Sequence, residues 1–371
     1  MPLPAPAVPG QPLADVDTPA LILDLDAFER NLKTMADAVA PLGVRLRPHA
    51  KSHKCAEIAR RQIAAGAVGV CVQKTSEAEA LVAGGVQDVL IANEVVGRAK
   101  LARVAALGTS AQIGVCVDDA GVVADLDAAA RAAGSRLDVY VEVNVGANRC
   151  GVEPGAPALR LAQIVSGSAN LRLAGLQAYH GAAQHLRTVE ERRAAIAQAV
   201  EKAGRTRRLI EDEGLACDIV TGAGTGTFIY EGTSGVYDEL QPGSYVFMDA
   251  DYNRNRWEGF PAFSQSLYIF GTVMSVPTPE RVVVDAGLKA HSFDSGLPEV
   301  VGWPGVEYAR PSDEHGVLKV APGARAPRLG EKIRLIPGHC DPTVNLYDWL
   351  VCHRGERVEA VWQVTARGAF Y

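Results

Sequence analysis

The sequence predicts an α/β protein: a (β/α)8 TIM-type barrel followed by a mostly antiparallel β domain. Three observations carry that prediction. From about residue 20 to 250, short β-like runs alternate with Ala-rich helical stretches, and such alternation implies a parallel sheet. Roughly eight strand–helix units occupy about 230 residues, the length of a closed barrel. After about residue 255 the texture changes to short β-rich runs split by Gly/Pro turns, which suits an antiparallel sheet.

In chain order, 20–25 (ALILDL) reads as a strand and 27–40 as a helix with apolar periodicity. A short strand at 44–47, a helix at 55–65 and a strand at 69–72 follow. A helix over 76–83 is expected behind a Thr-Ser cap. Then come a strand at 88–92, a helix at 96–106, a strand at 112–117, a helix at 121–133, a strand at 137–143 and a helix at 156–165. Strand 173–178, helix 190–213 and strand 218–221 complete the series. No Gly-x-Gly-x-x-Gly follows the first strand, which disfavours an open dinucleotide-binding sheet. The β-rich runs are 267–276, 281–285, 305–310, 316–320, 332–336, 349–354 and 358–365.

The composition excludes several classes. The 371 residues carry 37 Lys+Arg against 43 Asp+Glu, a net charge of −6, so a basic nucleic-acid surface is not expected. With 48% hydrophobic and 22% charged residues the chain is globular. No apolar run is long enough to span a bilayer. Residues 1–13 are rich in Pro and Ala without a positive n-region, and do not read as a signal peptide. The seven cysteines are scattered and include no Cys-x-x-Cys pair. Reduced, buried thiols in a cytoplasmic protein are the expectation.

Four clusters could carry chemistry. Arg47-Pro48-His49-Ala50-Lys51-Ser52-His53-Lys54 lies after an early strand, where a barrel places catalytic groups. A lysine there could form a Schiff base if cationic neighbours lower its pKa; the run also reads as a solvated basic loop. TGAGTGT at 221–227 follows a strand. Its small residues suit an anion cradle, but without a Walker lysine nucleotide hydrolysis is not expected; a flexible loop is the alternative. In Gly338-His339-Cys340-Asp341-Pro342-Thr343, an extended segment would put His339 and Asp341 on one side, able to share a divalent ion completed by water or substrate, with Cys340 pointing away. A hydrogen-bonded turn is the bland reading. Finally, Asn148-Arg149-Cys150-Gly151 and Gln177-Ala178-Tyr179-His180-Gly181, with Gln184-His185, follow later strands. They offer a fixed guanidinium and imidazoles for acid–base work, or structural histidines.

Together, RPHAKSHKC, GVCVQKTSEAEAL, LIANEVVG, NRCGV, LQAYHGAAQH, TGAGTGT, ELQPGSYVFMDADY, VDAGLK, DEHGV and PGHCDPTVNLYDWL resemble the D-threonine aldolases. These group with the D-serine dehydratases among alanine-racemase-like, fold type III pyridoxal-phosphate enzymes. The resemblance runs from about residue 17 to 368. It implies a pyridoxal-phosphate-binding barrel (27–254) and a β domain (1–26 plus 255–371) that includes the first strand and carries the metal ligands. It implies a homodimer with active sites near the subunit interface, and a small-molecule D-amino acid as substrate. Lys51 would hold the cofactor's aldehyde. Gln73, Arg149, Tyr179, Gly224, Thr225 and Gly226 would also contact pyridoxal 5'-phosphate. His339 and Asp341 would hold a divalent metal (Mn2+ or Mg2+, with Zn2+ possible), and His185 would serve as acid–base. The implied reaction is retro-aldol cleavage of D-threonine and related D-β-hydroxy-α-amino acids to glycine and an aldehyde. The dehydratases tend to carry cysteine at the position of Asp341. The nearest alternative is a D-3-hydroxyaspartate aldolase giving glycine and glyoxylate, followed by a metal-dependent D-serine dehydratase.

Overall fold

The computed structural model describes residues 4–371, so the first three residues of the Pro/Ala-rich start lie outside it. Strand β1 (Ala20–Asp24) precedes eight strands of one parallel sheet. These are β2 (Arg45–Leu46), β3 (Val70–Val72), β4 (Asp88–Glu94), β5 (Gln112–Val117), β6 (Leu137–Glu142), β7 (Leu171–Ala178), β8 (Ile219–Gly222) and β9 (Glu239–Leu240). They pair in the order β2-β9-β8-β7-β6-β5-β4-β3. A parallel bridge between His49 and Cys71 joins the two ends, through Ala50 N–H to Cys71 O (2.7 Å) and Cys71 N–H to Pro48 O (2.9 Å). The expected barrel is present. Its eighth strand, Glu239–Leu240, is two residues long, too short for any periodicity to announce it.

Strand alternation sorts the core into two shells. Val70, Val72, Val89, Ile91, Ile113 and Val115 face the helices and join the main core. Their neighbours Cys71, Leu90, Cys116, Tyr140, Ala174 and Ile219 form a separate inner cluster. The inner space is also filled by charge. Fully buried Arg47 reaches Glu239 Oε1 (2.9 Å) and Asp88 Oδ1 (2.6 Å). Thr221 Oγ1 donates to the same Glu239 oxygen (3.0 Å) and accepts from Gln241 Nε2 (2.8 Å).

The outer helices are α1 (Leu25–Val39), α2 (Ala56–Ala64), α3 (Thr75–Ala83), α4 (Arg98–Leu107), α5 (Ala120–Ala133), α6 (Ala156–Ser166) and α7 (Val189–Asp212). Two short helices, α8 (Phe228–Gly232) and α9 (Ala250–Asn253), follow. Their starts obey capping chemistry. Asp24 caps α1, Asp119 caps α5, and Thr188 and Glu191 form a reciprocal box on α7. The helix expected from residue 76 behind a Thr-Ser cap starts one residue earlier: Thr75 is already helical, and Glu77 reaches back to the Lys74 N–H.

The second sheet runs β13-β14-β11-β10-β1-β16-β17, with β15 on β10 and β12 on β15. Its strands are β10 (Leu267–Thr278), β11 (Arg281–Val284), β12 (Glu299–Val301), β13 (Val306–Pro311), β14 (Gly316–Val320), β15 (Lys332–Ile336), β16 (Trp349–Arg354) and β17 (Arg357–Gln363). All pairings are antiparallel except β1 with β16. The first strand thus belongs to this sheet, as the resemblance implied. Helix α10 (Cys340–Val344) sits between β15 and β16. Residues 339–341 are therefore not one extended segment: His339 is extended, with φ −144° and ψ 125°, and the chain turns helical immediately after it.

Candidate active site

One cavity at the C-terminal ends of the barrel strands collects residues from both sheets. Of the basic run after β2, only His49 and Lys51 line it. Arg47 is turned into the barrel. Lys54 is buried against Glu77 (Nζ–Oε1 2.5 Å) and the carbonyl of Ala369 (3.1 Å). His53 is fully buried on Gln62 (3.2 Å), and burial pulls its pKa down to about 4. The run is a packed turn rather than a solvated loop.

The expected cationic depression of Lys51 is corrected by these placements. Burial does push its ammonium down, but Asp341, whose Oδ2 lies 3.4 Å from Nζ, outweighs burial and raises it. The neighbours meant to depress it are spent elsewhere: Arg47 and Lys54 in ion pairs, His53 as a neutral ring. His49 lies well below the usual imidazole range through burial and the charge of Lys51. As a neutral ring it accepts from Gln73 Nε2 at 2.7 Å, and that amide also donates to Ala92 O (3.0 Å).

Opposite Lys51, the chain leaving β8 makes a cradle. Ala223 holds φ +71°, a conformation costing an L-residue roughly 1 kcal/mol. Among the described residues, the backbone N–H groups of Gly224, Thr225, Gly243 and Ser244 have no protein acceptor. All four residues line the cavity. A Cβ on Gly224 would fall 2.5 Å from Gln184 Oε1, so the close approach requires glycine. Gln184 fastens the cradle from behind by accepting from Gly226 N–H (2.9 Å) and donating to Thr227 Oγ1 (2.8 Å). Gly226 thus has its N–H engaged and does not line the cavity. A cluster of unpaired N–H groups beside a lysine fits a phosphorylated aldehyde. Gln184, Gly243 and Ser244 lie within the motifs, but their role is backbone geometry and support, which no residue-type pattern specifies.

The remaining predicted residues converge here. His339 and Asp341 both line the cavity, while Cys340 is fully buried and points away, its thiol 3.3 Å from Asp341 Oδ1. Burial opposes the Asp341 carboxylate, but Lys51 and His339 hold it below the usual range. His339 Nδ1 meets Asp294 Oδ2 at 2.8 Å, which leaves Nε2 for another partner. Among the described residues no group of three or more His, Cys, Asp or Glu is arranged to hold a metal ion. A cation on this nitrogen–oxygen donor pair would complete its shell with water or substrate, which suits Mg2+ or Mn2+. Arg149 lies over the Tyr179 ring (5.8 Å to the centroid) and 3.9 Å from Glu142. His185 lies on the rim, half exposed, beside Tyr252.

Residues 23–251 match the family model described as alanine racemase, N-terminal domain, and residues 266–353 match a putative serine dehydratase domain. The chain is 52% identical to a D-threonine aldolase of Arthrobacter sp, over 99% of this chain and 97% of the relative. It is 46% identical to a 3-hydroxy-D-aspartate aldolase of Paracoccus denitrificans, over 99% and 96%. The crystal structure of a D-threonine aldolase from Filomicrobium marinum superposes with a TM-score of 0.98 at 54% identity, covering 99% of this chain and all of that one. The chain belongs to the D-threonine aldolase family. The enzyme class expected from the sequence, a carbon–carbon lyase, is the class of this family. No helix among the described residues is long and apolar enough to cross a membrane.

Proposed function

We propose that this enzyme cleaves D-threonine and related D-β-hydroxy-α-amino acids to glycine and an aldehyde, using pyridoxal 5'-phosphate and a divalent metal. The observation that carries the reading is the meeting of Lys51, the N–H cradle, the His339–Asp341 pair and His185 in one cavity. Lys51 would hold the cofactor's aldehyde carbon, and the N–H groups of Gly224, Thr225, Gly243 and Ser244 its phosphate. His49, Gln73, Arg149 and Tyr179 surround the space between. When bound, the cofactor supplies an electron sink at Cα, and the metal on His339 and Asp341 acidifies an oxygen ligand.

The chain's own residues supply the rest. Lys51 Nζ, 3.4 Å from Asp341, sets the amino group of the substrate close to the ligand pair. His185 takes the proton of the β-hydroxyl, and the Cα–Cβ bond then breaks to release the aldehyde. A proton returned to Cα completes glycine. A hard carboxylate at position 341, rather than the thiolate of the dehydratases, supports cleavage over water elimination. The 46% identity to a 3-hydroxy-D-aspartate aldolase supports that substrate as the second reading, and ranking the two by kcat/KM separates them. The seven free thiols support a reducing, cytoplasmic setting. We read the enzyme as a homodimer, as the resemblance implies.

The test combines purified enzyme, Mn2+ or Mg2+, and D-threonine, with glycine and acetaldehyde measured before and after EDTA. Metal-dependent glycine from the D isomer alone is expected; pyruvate-type keto acid and ammonia from D-serine, with no glycine, would replace the reading by dehydratase. Lys51→Ala is expected to lose the visible cofactor band and turnover. Asp341→Ala is expected to keep the cofactor and lose metal affinity; unchanged chelator sensitivity refutes the metal role.

A further inference from the structure

The structure assigns Asp251 a positioning role: it fixes His185 in the tautomer whose Nε2 is free to take a proton in the cavity. This rests on the reading of His185 as the base proposed above, and it concerns a residue that lies outside the cavity lining.

The geometry is closed on all sides. His185 ends the short turn Gly181–His185, and its Nδ1 lies 2.6 Å from Asp251 Oδ2. Asp251 is buried, and its second oxygen, Oδ1, accepts from Arg187 Nη2 at 2.5 Å. Arg187 Nη1 also donates to the carbonyl of Asp251 (2.8 Å) and to Asn255 Oδ1 (2.7 Å). The carboxyl stays below its usual range: burial opposes ionisation, but the hydrogen bonds from Arg187 and His185 outweigh it. An ionised carboxylate only accepts. The proton shared with it therefore sits on Nδ1, so that Nε2 is the nitrogen that carries the lone pair whenever the ring acts as a base. That nitrogen has no hydrogen-bond partner among the described residues, and His185 lines the same cavity as Lys51 and Asp341.

The backbone that carries Asp251 is tied to the ligand pair. On α9, Ala250 N–H donates to Pro337 O (3.0 Å) and Asp251 N–H to Gly338 O (3.2 Å). Asp249, the α9 cap, accepts from Tyr252 N–H and from Cys340 N–H, both at 2.9 Å. Cys340 lies between His339 and Asp341. The orienting carboxylate and the two candidate metal ligands thus share one hydrogen-bonded unit, so the base and the oxygen it deprotonates are placed by the same piece of chain.

Asp251→Asn tests this with little change in shape. Arg187 can only donate, so it claims the amide oxygen and turns the amide NH2 toward His185. Nδ1 must then accept, and the proton moves to Nε2. The 15N spectrum of cofactor-loaded enzyme, with the ring assigned by its loss in His185→Asn, is expected to report Nδ1–H in the parent and Nε2–H in the variant. kcat on D-threonine is expected to fall about 10²–10⁴-fold, with KM within about threefold, as for loss of an oriented base. The cofactor's visible band and the circular dichroism are expected to be unchanged. A parent enzyme showing Nε2–H overturns the proposal without any variant, and so covers a variant that fails to fold. An unchanged tautomer, or an unchanged kcat, in Asp251→Asn overturns it as well. If His185→Asn also keeps full kcat, the failure lies in the base reading rather than in the Asp251 geometry.

Discussion

Gly224→Ala is a sharp probe of the cradle because its cost follows from one distance. The added Cβ would sit 2.5 Å from Gln184 Oε1 and 2.6 Å from its Cδ, roughly 1 Å short of ordinary contact. Gln184 is fully buried and cannot swing to solvent. Yielding means giving up its bonds to Gly226 N–H and Thr227 Oγ1. Two buried hydrogen bonds lost, one leaving an orphaned N–H, predict a cost of about 2–4 kcal/mol. Urea unfolding of the enzyme without cofactor measures it. Cofactor titration should show binding weakened by about tenfold or more, since the same movement displaces the Gly224 and Thr225 N–H groups. The decisive arm is the pair with Gln184→Ala. That change alone forfeits the same bonds but opens space, so Gly224→Ala added to it should cost under about 0.5 kcal/mol. Costs that simply add, or a Gly224→Ala enzyme as stable as its parent, would refute the steric account.

Two further predictions concern buried charge. Glu231, under the cradle, accepts from Thr227 Oγ1 (2.8 Å), and burial pushes its carboxyl up to about 7 from 4.5. The folded protein therefore keeps a proton that the unfolded chain releases, and this stability is present below pH 4.5 and lost as pH rises through 7. Glu231→Gln should be more stable than the parent at pH 8, by up to about 3 kcal/mol, and the difference should shrink to under about 1 kcal/mol by pH 5; parallel unfolding curves at pH 5, 6.5 and 8 check it. Arg47→Met should cost about 3–5 kcal/mol by leaving the fully buried Glu239 short of its main partner. Arg47→Met with Glu239→Gln should cost less than Arg47→Met alone, and the reverse order in urea melts would show that packing, not charge, sets the loss.

Much of the architecture was legible because it rests on pattern. Long alternating runs such as those of β4, β5 and β6 bury one face toward the helices and one toward the barrel centre, and such segments carry their periodicity openly. Glu239–Leu240 carried none, and its place in the ring is set by the register that Arg45 and Thr221 impose on either side. The residues that line the cavity were legible as motifs, but their electrostatics were not. From sequence, Arg47, His53 and Lys54 look like neighbours that depress Lys51. In three dimensions each is neutralised by a distant partner: Glu239, burial beside Gln62, and Glu77. No local rule announces a partner that lies 192 residues away.

The same distinction explains why the supporting residues were missed. Gln184 and Asp251 present ordinary side chains in ordinary positions, and their importance comes from what each holds still. Gln184 shapes a cradle made of backbone N–H groups that have no side-chain signature. Asp251 turns a rim histidine while Asp249, the cap of the same short helix, anchors the Cys340 N–H beside the ligand pair. Lys51 comes from the barrel, and His339 and Asp341 from the insertion between β15 and β16. The cavity therefore forms only when both sheets are docked, and α9 is the splice. A change in α9 that spares every cavity-lining side chain should still shift the base and the ligand pair together, because neither is positioned independently of the other.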